Sequence, residues 1–362
     1  MNDLTDSRNK IAEIDAKMAA LFEERMRVVK DIAEYKQERG LSVKDTDREK
    51  TLIERNKTLV SDETIVPYYV NYIRHVIDIS CSYQETLMSG MKVAYGGAEG
   101  AFAHIAARNM FPKARLISNH DFIDAYRSVE EGYCDCAVLP IENSVAGEVG
   151  EVMDLMYSGP LFINQVFSLP VQHQLLGIKG VNIESITTVI SHPQALSQCS
   201  KYIKKHGFKT IAASSTSEAA RKVLELNDPS YAAIASEVAA SMTGLDILDH
   251  DLQNDGSNTT RFAAFSRSQN RPSDGSKHEG DSFILVFTVK NEAGALSQAL
   301  NIIGAHGYNM RSLKSRPMKD LQWSYYFYIE AEGNIYNQNG QDMMQELSAL
   351  CAGLKLVGSF RA

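Results

Sequence analysis

Residues 8–36 read RNKIAEIDAKMAALFEERMRVVKDIAEYK, and the spacing of these side chains decides what the amino-terminal part of the chain is. Steps of three and four from Arg8 fall on Ile11, Asp15, Met18, Phe22, Arg25, Val29, Ile32 and Lys36, which is one face of an α-helix. Neither Gly nor Pro interrupts the run, so the pattern predicts a single helix from Asp6 to about Arg39. Such a length is well above the ~11–12 residues of an average helix and implies helix–helix association beyond a short domain. The face is not uniformly apolar, because cations stand where packing would place leucine. Arg25 and Lys36 lie about 20° apart in azimuth and about 16 Å apart along the axis, so their long side chains can converge on one small molecule. Alternatively, both can snorkel at the rim of an interface.

Outward from this helix, residues 4–88 contain no Gly except Gly40 and no Pro except Pro67, so the whole segment is expected to be helical. The third helix repeats the anomaly: Val66, Val70, Ile73, Ile77, Ser80, Gln84 and Leu87 share a stripe whose end carries polar groups on the buried side. Buried polar groups are costly unless hydrogen-bonded, so something should satisfy them. Between the two helices, VKDTDRE at 43–49 supplies Asp45, Arg48 and Glu49 at a helix start. There Asp45 could simply cap the helix, with Arg48 and Glu49 solvated.

From Met91 the texture changes. Short β-rich runs (KVAY, DCAVLPI, ITTVIS, YAAIAS) are each followed by Ala-rich helical sequence up to Arg267, the pattern of an α/β domain. SRSQNRPSDGSKHEGD at 266–281 reads as a linker, placed at 268–280. Beyond it SFILVFTV, GALSQALNIIGAHG, MRSLKSRP, WSYYFYIEA, DMMQELSALCAG and LKLVGSF give βαββαβ, a ferredoxin-like order. The expected domains are therefore 1–90 all-α, 91–267 α/β and 281–362 α+β.

Composition narrows the function. Hydrophobic residues make up 44% and charged residues 23% of 362, the balance of a folded globular chain rather than a disordered one. A net charge of −8 with no block of basic residues argues against nucleic acid. No apolar run is long enough for a membrane span, and MNDLTDSRNK lacks a signal-peptide core, so a cytoplasmic enzyme without membrane contact is expected. Five cysteines, an odd number without CxxC spacing, point to reduced thiols, with no metal site and no cofactor.

With these residues in view, 4–88 resembles the all-helical class of chorismate mutase, matching its early Arg, ERR-like Arg, Lys, D-x-D-R-E run and late S-x-x-x-Q. The resemblance implies a dianion pocket built from Arg8, Arg25, Lys36, Asp45, Arg48, Glu49, Ser80 and Gln84. It also implies a homodimer that exchanges the long helix, so that Arg8 serves the partner's pocket; such dimers could assemble further into a tetramer. Rearrangement of chorismate to prephenate is pericyclic and needs no nucleophile or proton relay, only positioning and charge. Arg8 and Arg25 would grip carboxylates, Glu49 would hold the hydroxyl, and Lys36 and Gln84, the catalytic pair, would donate to the ether oxygen as its bond breaks.

Four motifs mark the middle domain: VAYGGAEGAF, PIENS, SHPQAL and NTTRF. Singly each has an ordinary reading as a turn, a helix cap or a strand entry. Together, in this order, they resemble prephenate dehydratase, which implies two periplasmic-binding-like α/β lobes with prephenate in the cleft. That substrate loses its ring carboxylate as CO2 and its hydroxyl as water, and the departing hydroxyl needs an acid. The resemblance assigns that task to Thr260, with Arg261 anchoring the loop or substrate charge and Asn143, Ser144, Ser191 and Gln194 lining the cleft. Ala101 and Ala103 stand where relatives commonly carry hydroxyls, so fewer donors face the substrate and arogenate becomes a rival to prephenate.

Residues 281–362 resemble an ACT domain. Gly294, Ala295 and Leu296 (GAL) and Ser315, Arg316 and Pro317 (SRP) match its phenylalanine-binding version, which implies L-phenylalanine as an allosteric effector. Lys314 stands where many relatives carry Glu. A non-catalytic ligand-binding regulator would share the lobes and the sensor, but it would not need the cations and amides of the helical segment or the TRF motif.

Overall fold

The computed structural model describes residues 4–38, 43, 46–269, 281–318 and 324–361. Asp45 and nearly all of the expected linker lie outside the described residues. Two compact units divide the chain between Lys92 and Val93.

The first unit is α1 (Leu4–Glu38), α2 (Thr46–Lys57) and α3 (Val66–Ser89). Pro67 sits in the first turn of α3, where its missing N–H leaves no bond unmade. The C-terminal part of α1 packs on α3, burying Val29, Ala33, Val76 and Ile77. From Leu4 to Glu24, by contrast, every residue is exposed, including Ile11, Ile14, Met18, Leu21 and Phe22.

The second unit begins with a lobe of β1 (Lys92–Gly96), α4 (Phe102–Met110), β2 (Arg115–Asn119), α5 (Phe122–Glu130), β3 (Cys136–Asn143), β4 (Gly147–Glu148), α6 (Gly150–Ser158) and β5 (Phe162–Pro170). The chain then crosses to a second lobe of β6 (Gln174–Gly177), β7 (Thr188–Ser191), α7 (Pro193–Gln198), α8 (Ser200–His206), β8 (Lys209–Ala212), α9 (Thr216–Leu226), β9 (Tyr231–Ala235), α10 (Glu237–Thr243) and β10 (Asp246–Asp249). It returns through β11 (Thr259–Ser266), which lies antiparallel between β3 and β5. Two crossings between two sheets leave a cleft of the kind expected of a two-lobed binding fold. Cys134, Cys136 and Cys199 are buried free thiols, and burial pushes Cys136 and Cys199 up to about 12, so they stay protonated and inert.

The last module is β12 (Asp281–Thr288), α11 (Ala295–Ala305), β13 (Asn309–Pro317), β14 (Tyr325–Glu332), α12 (Gln338–Leu350) and β15 (Gly353–Arg361). Its strand order, β13-β14-β12-β15, is ferredoxin-like. The module beyond the expected linker shares a body with the first lobe. β15 continues the lobe's sheet beside β5, with Gly358 opposite Ile163. One core joins Ile284, Val286, Tyr328 and Phe360 to Leu139, Ile141 and Met153. A Cβ at position 358 would lie 2.0 Å from Ile163 O. Gly358→Val should therefore destabilise the second unit by about 1–3 kcal/mol through overpacking; an unchanged thermal unfolding midpoint would show that the approach is not needed.

Candidate active sites

In the helical unit Arg25, Lys36, Arg48, Glu49, Ser80 and Gln84 all line one cavity of about 110 Å³. The helical period brings Arg25 and Lys36 to one side of α1, and α3 presents Ser80 and Gln84 opposite them, buried to 4% and 6% exposure. Arg25 Nη1 donates to Ser80 Oγ and, at 3.5 Å, to Val76 O. Lys36 Nζ donates to Val43 O at 2.6 Å. Gln84 Nε2 donates to Ser80 O at 3.3 Å, while its buried Oε1 has no partner. Burial lowers the Arg25 pKa from its ordinary value: the charge is held in partial isolation and would gain from an anion. Arg8 is exposed, and 17 residues of helix separate it from Arg25, about 26 Å at 1.5 Å per residue. It does not enter this cavity.

Between the lobes lies a second cavity of about 450 Å³, lined by Asn143, Gln194, Thr260 and the 96–103 segment. Strand register places Thr260 opposite Asn143 and Arg261 opposite Glu142, so the first pair faces the cleft and the second faces away. Asn143 Nδ2 donates to Thr260 Oγ1 at 2.9 Å and to Asn258 Oδ1 at 2.8 Å, while its Oδ1 accepts from the backbone N–H of Val145 and Ala146. The amide is thereby fixed, and Thr260 Oγ1, already an acceptor, keeps its own hydrogen to donate. Ser144 braces the loop behind, its Oγ accepting from Thr259 N at 3.0 Å. Ser191 is fully buried and donates to Ile234 O at 2.6 Å, outside the cleft lining.

Arg261 binds Glu330 through both carboxylate oxygens at 2.8 and 2.9 Å and reaches Glu142 at 3.3 Å. It is held away from the cleft, and hydrogen bonding to Glu330 raises its pKa. The cleft lining contains no Lys or Arg among the described residues. Backbone groups are the alternative source of positive potential. α4 has no side-chain N-cap, since Ala101 occupies that position, so the N–H groups of Phe102 and Ala103 are left for an anion. Ala101 at the cap position thus leaves these backbone donors uncovered.

His173 also lines the cleft at 1% exposure, where burial lowers its pKa. Its Nε2 lies 2.9 Å from Gln198 Oε1. That oxygen can only accept, so the ring proton sits on Nε2, and Nδ1 is a buried acceptor without a partner.

In the ferredoxin-like module Gly294 takes φ 86° and caps α11, a conformation open to glycine. Leu296 shares a cavity of about 280 Å³ with Met318, Tyr325 and Phe327; the other expected effector residues, Gly294, Ala295, Ser315, Arg316 and Pro317, are not in its lining. On β13, alternation turns Ser315 outward and sends Lys314 and Arg316 to the first lobe's side. Lys314 Nζ pairs with Glu142 at 2.6 Å and Arg316 Nε with Asp154 at 3.1 Å. Burial alone would raise the Glu142 pKa, but Lys314 and Arg261 outweigh it and lower it.

The family model for chorismate mutase type II matches residues 7–85, and that for prephenate dehydratase matches residues 93–270. Over 99% of its length the chain is 31% identical to the bifunctional chorismate mutase/prephenate dehydratase of Enterobacter agglomerans, covering 96% of that protein. The chain belongs to the bifunctional chorismate mutase/prephenate dehydratase family. It is also 33% identical, across 75% of its length and 73% of the relative's, to the chloroplastic arogenate dehydratase/prephenate dehydratase 2 of Arabidopsis thaliana. Among solved structures, the prephenate dehydratase of Arthrobacter aurescens in complex with L-Phe is similar with TM-score 0.69 and 26% identity, covering 75% of this chain and 90% of that one.

Against the pattern of this bifunctional family, the structure gathers Arg25, Lys36, Arg48, Glu49, Ser80 and Gln84 at one cavity, and Asn143, Gln194 and Thr260 at another. Ser144, Ser191 and Arg261 support the second from outside its lining. His173, Gln198, Glu151 and the SSTSE turn at 214–218 escape the sequence reading, yet His173, Gln198, Glu151, Ser214, Ser215 and Thr216 line the cleft. The turn reads as an N-cap, which Ser215 also is, accepting from Glu218 N at 3.0 Å. Nothing local marks His173 and Gln198, which meet across 25 residues.

Proposed function

We propose that this bifunctional enzyme rearranges chorismate to prephenate in the helical cavity and converts prephenate to phenylpyruvate in the cleft. The observation that carries the reading is the convergence of two cations and a buried amide, from helices far apart in sequence, on one small cavity. In the first reaction Arg25 would hold a carboxylate while Lys36 and Gln84 stabilise the negative charge on the breaking ether bond. Arg8 would complete the cavity of a second copy of the chain. The exposed apolar stripe from Leu4 to Phe22 supports a homodimer built on α1.

In the second reaction decarboxylation supplies the electron pair that breaks the C–O bond, and Thr260, oriented by Asn143, passes its hydroxyl proton to the departing oxygen, which leaves as water, and regains a proton from solvent. Substrate carboxylates would be held by the bare N-terminus of α4. A threonine hydroxyl is a weak acid, so aromatisation of the ring provides most of the driving force and the hydroxyl positions the proton.

L-phenylalanine is the proposed effector, bound at Gly294–Leu296 and Ser315–Pro317. Support for coupling comes from Lys314, Glu330, Arg261 and Glu142, since Glu142 and Arg261 are the chain neighbours of Asn143 and Thr260. A cytoplasmic site of action fits the buried free thiols. No helix of the described residues is long and apolar enough to cross a membrane.

One observation favours arogenate as a rival substrate of the cleft. Its lining holds the carboxylates of Asp121 and Glu151 but no Lys or Arg, an environment suited to an ammonium group. The test is a time course of the purified enzyme fed chorismate, with prephenate and phenylpyruvate followed together and L-phenylalanine added in a parallel run. Prephenate should appear, then phenylpyruvate, and the second rise should slow with effector. Absence of both prephenate and phenylpyruvate would reject the mutase reading, and turnover of added arogenate but not prephenate would reject the dehydratase one.

A further inference from the structure

On the other side of the 96–101 turn from the substrate cleft, the lobes enclose a larger cavity of about 790 Å³. Two features of its wall point to an anion. Gly100 N donates to His104 Nδ1 at 3.2 Å, so in the neutral ring the proton sits on Nε2. Burial lowers the His104 pKa, which favours that neutral form. Arg108 Nη2 stands 3.4 Å from the same Nε2. Both groups are then donors, and neither can satisfy the other. Glu99 Oε1, at 3.9 Å from Nε2, is too distant to accept a hydrogen bond, and Arg108 forms no ion pair among the described residues. An oxygen between Nε2 and Nη2 would accept from both.

The second feature lies on the opposite lobe. Ser217 is 3% exposed and its buried Oγ has no hydrogen-bond partner, although buried hydroxyls are normally satisfied. One turn further along α9, Arg221 pairs with Glu218 at 2.7 Å. The seat therefore sits among two arginines and two glutamates, with Arg108 in no ion pair among the described residues and Glu99 the nearest opposite charge to the seat. Phe111, Leu116 and Met242 add an apolar patch to a wall that is otherwise mostly polar.

This cavity and the substrate cleft share two thin walls. Ala98 and Glu99 line the cavity, and Gly97 and Ala101 line the cleft. Ser217 lines the cavity, and Ser215 and Thr216 line the cleft. The turn is already tied across the lobes by Ser236 Oγ donating to Gly100 O at 3.0 Å.

We propose that this interlobe cavity is a second ligand site, taking a small oxyanion, carboxylate or phosphate, carried on an apolar body. Bridging Arg108 to Ser217, the ligand fixes the separation of the lobes and changes how prephenate binds next door. The binding claim stands alone, and the effect on rate rests on the dehydratase reading.

Calorimetric titration of the full chain with benzoate and with phenyl phosphate tests it, the two probes sharing one body and differing in head group. At least one should bind saturably, and Arg108→Gln should weaken it by about tenfold or more, the value of a hydrogen bond to a charged group. Arg108 is exposed, so this variant should fold and keep its unliganded dehydratase rate. Ser217→Val should weaken binding as well. At saturation the dehydratase KM should shift at least about twofold in the parent and not in Arg108→Gln, with mutase turnover unmoved in both. No saturable binding of either probe, or equal binding by Arg108→Gln, overturns the site. Binding that leaves KM unmoved overturns its control of the lobes, and a preparation that binds probe but never dehydrates prephenate refutes the dehydratase reading instead.

Discussion

Lys36→Ala lowers conversion of chorismate by about 10²–10³-fold, the usual consequence of removing one preorganised donor to a developing oxyanion, and leaves dehydration of added prephenate at the parental rate. The separation of effects follows from the fold: Lys36 belongs to a unit ending at Lys92, and Thr260 belongs to the other. The loss should fall on kcat more than on KM, because the ether oxygen carries charge only in the transition state. Lys36→Arg should not restore the rate, since a planar guanidinium cannot occupy the point position in which Nζ meets Val43 O. A mutase rate within twofold of the parent in the alanine variant would remove Lys36 from the chemistry.

The second large effect belongs to a pair. Asn143→Ala and Thr260→Ala should each lower dehydration by about 10²-fold or more, and the double variant should be little worse than either single one, because the amide acts by orienting the hydroxyl. The 2.9 Å bond between Asn143 Nδ2 and Thr260 Oγ1 motivates this non-additivity. Multiplying losses would mean that Asn143 touches substrate independently. Mutase turnover is the internal control in all three variants. Phenylpyruvate formed at the parental rate by Thr260→Ala would discard the assignment outright.

The helical half was legible because a 3.6-residue period makes a misplaced charge visible: Arg25 and Lys36 break an apolar stripe, and the stripe itself says that they share a side. The cleft was legible only as motifs. The sequence also carried a correction that motif reading passed over. Thr260 and Arg261 are consecutive in a strand, so they cannot both face the cleft, and Arg261 indeed turns to Glu330. His173 and Gln198 were invisible for a different reason, since their partnership depends on how the crossing at 171–173 meets α7. The reach of Lys314 to Glu142 was equally hidden, because a composition typical of a linker says nothing about whether the domain beyond it packs back. Gly358 was the local sign that it does, but a glycine near the end of a strand has too many ordinary readings to single out a site of backbone contact.

That contact at Gly358 bears on how the protein can be cut. β5 is covered on its outer side by β15, and without the last module its N–H and C=O groups would form an open edge able to pair with other chains. A shortened form ending at Arg267 would keep every residue assigned to catalysis and still be prone to aggregation, because the ferredoxin-like module is also the cap over that edge.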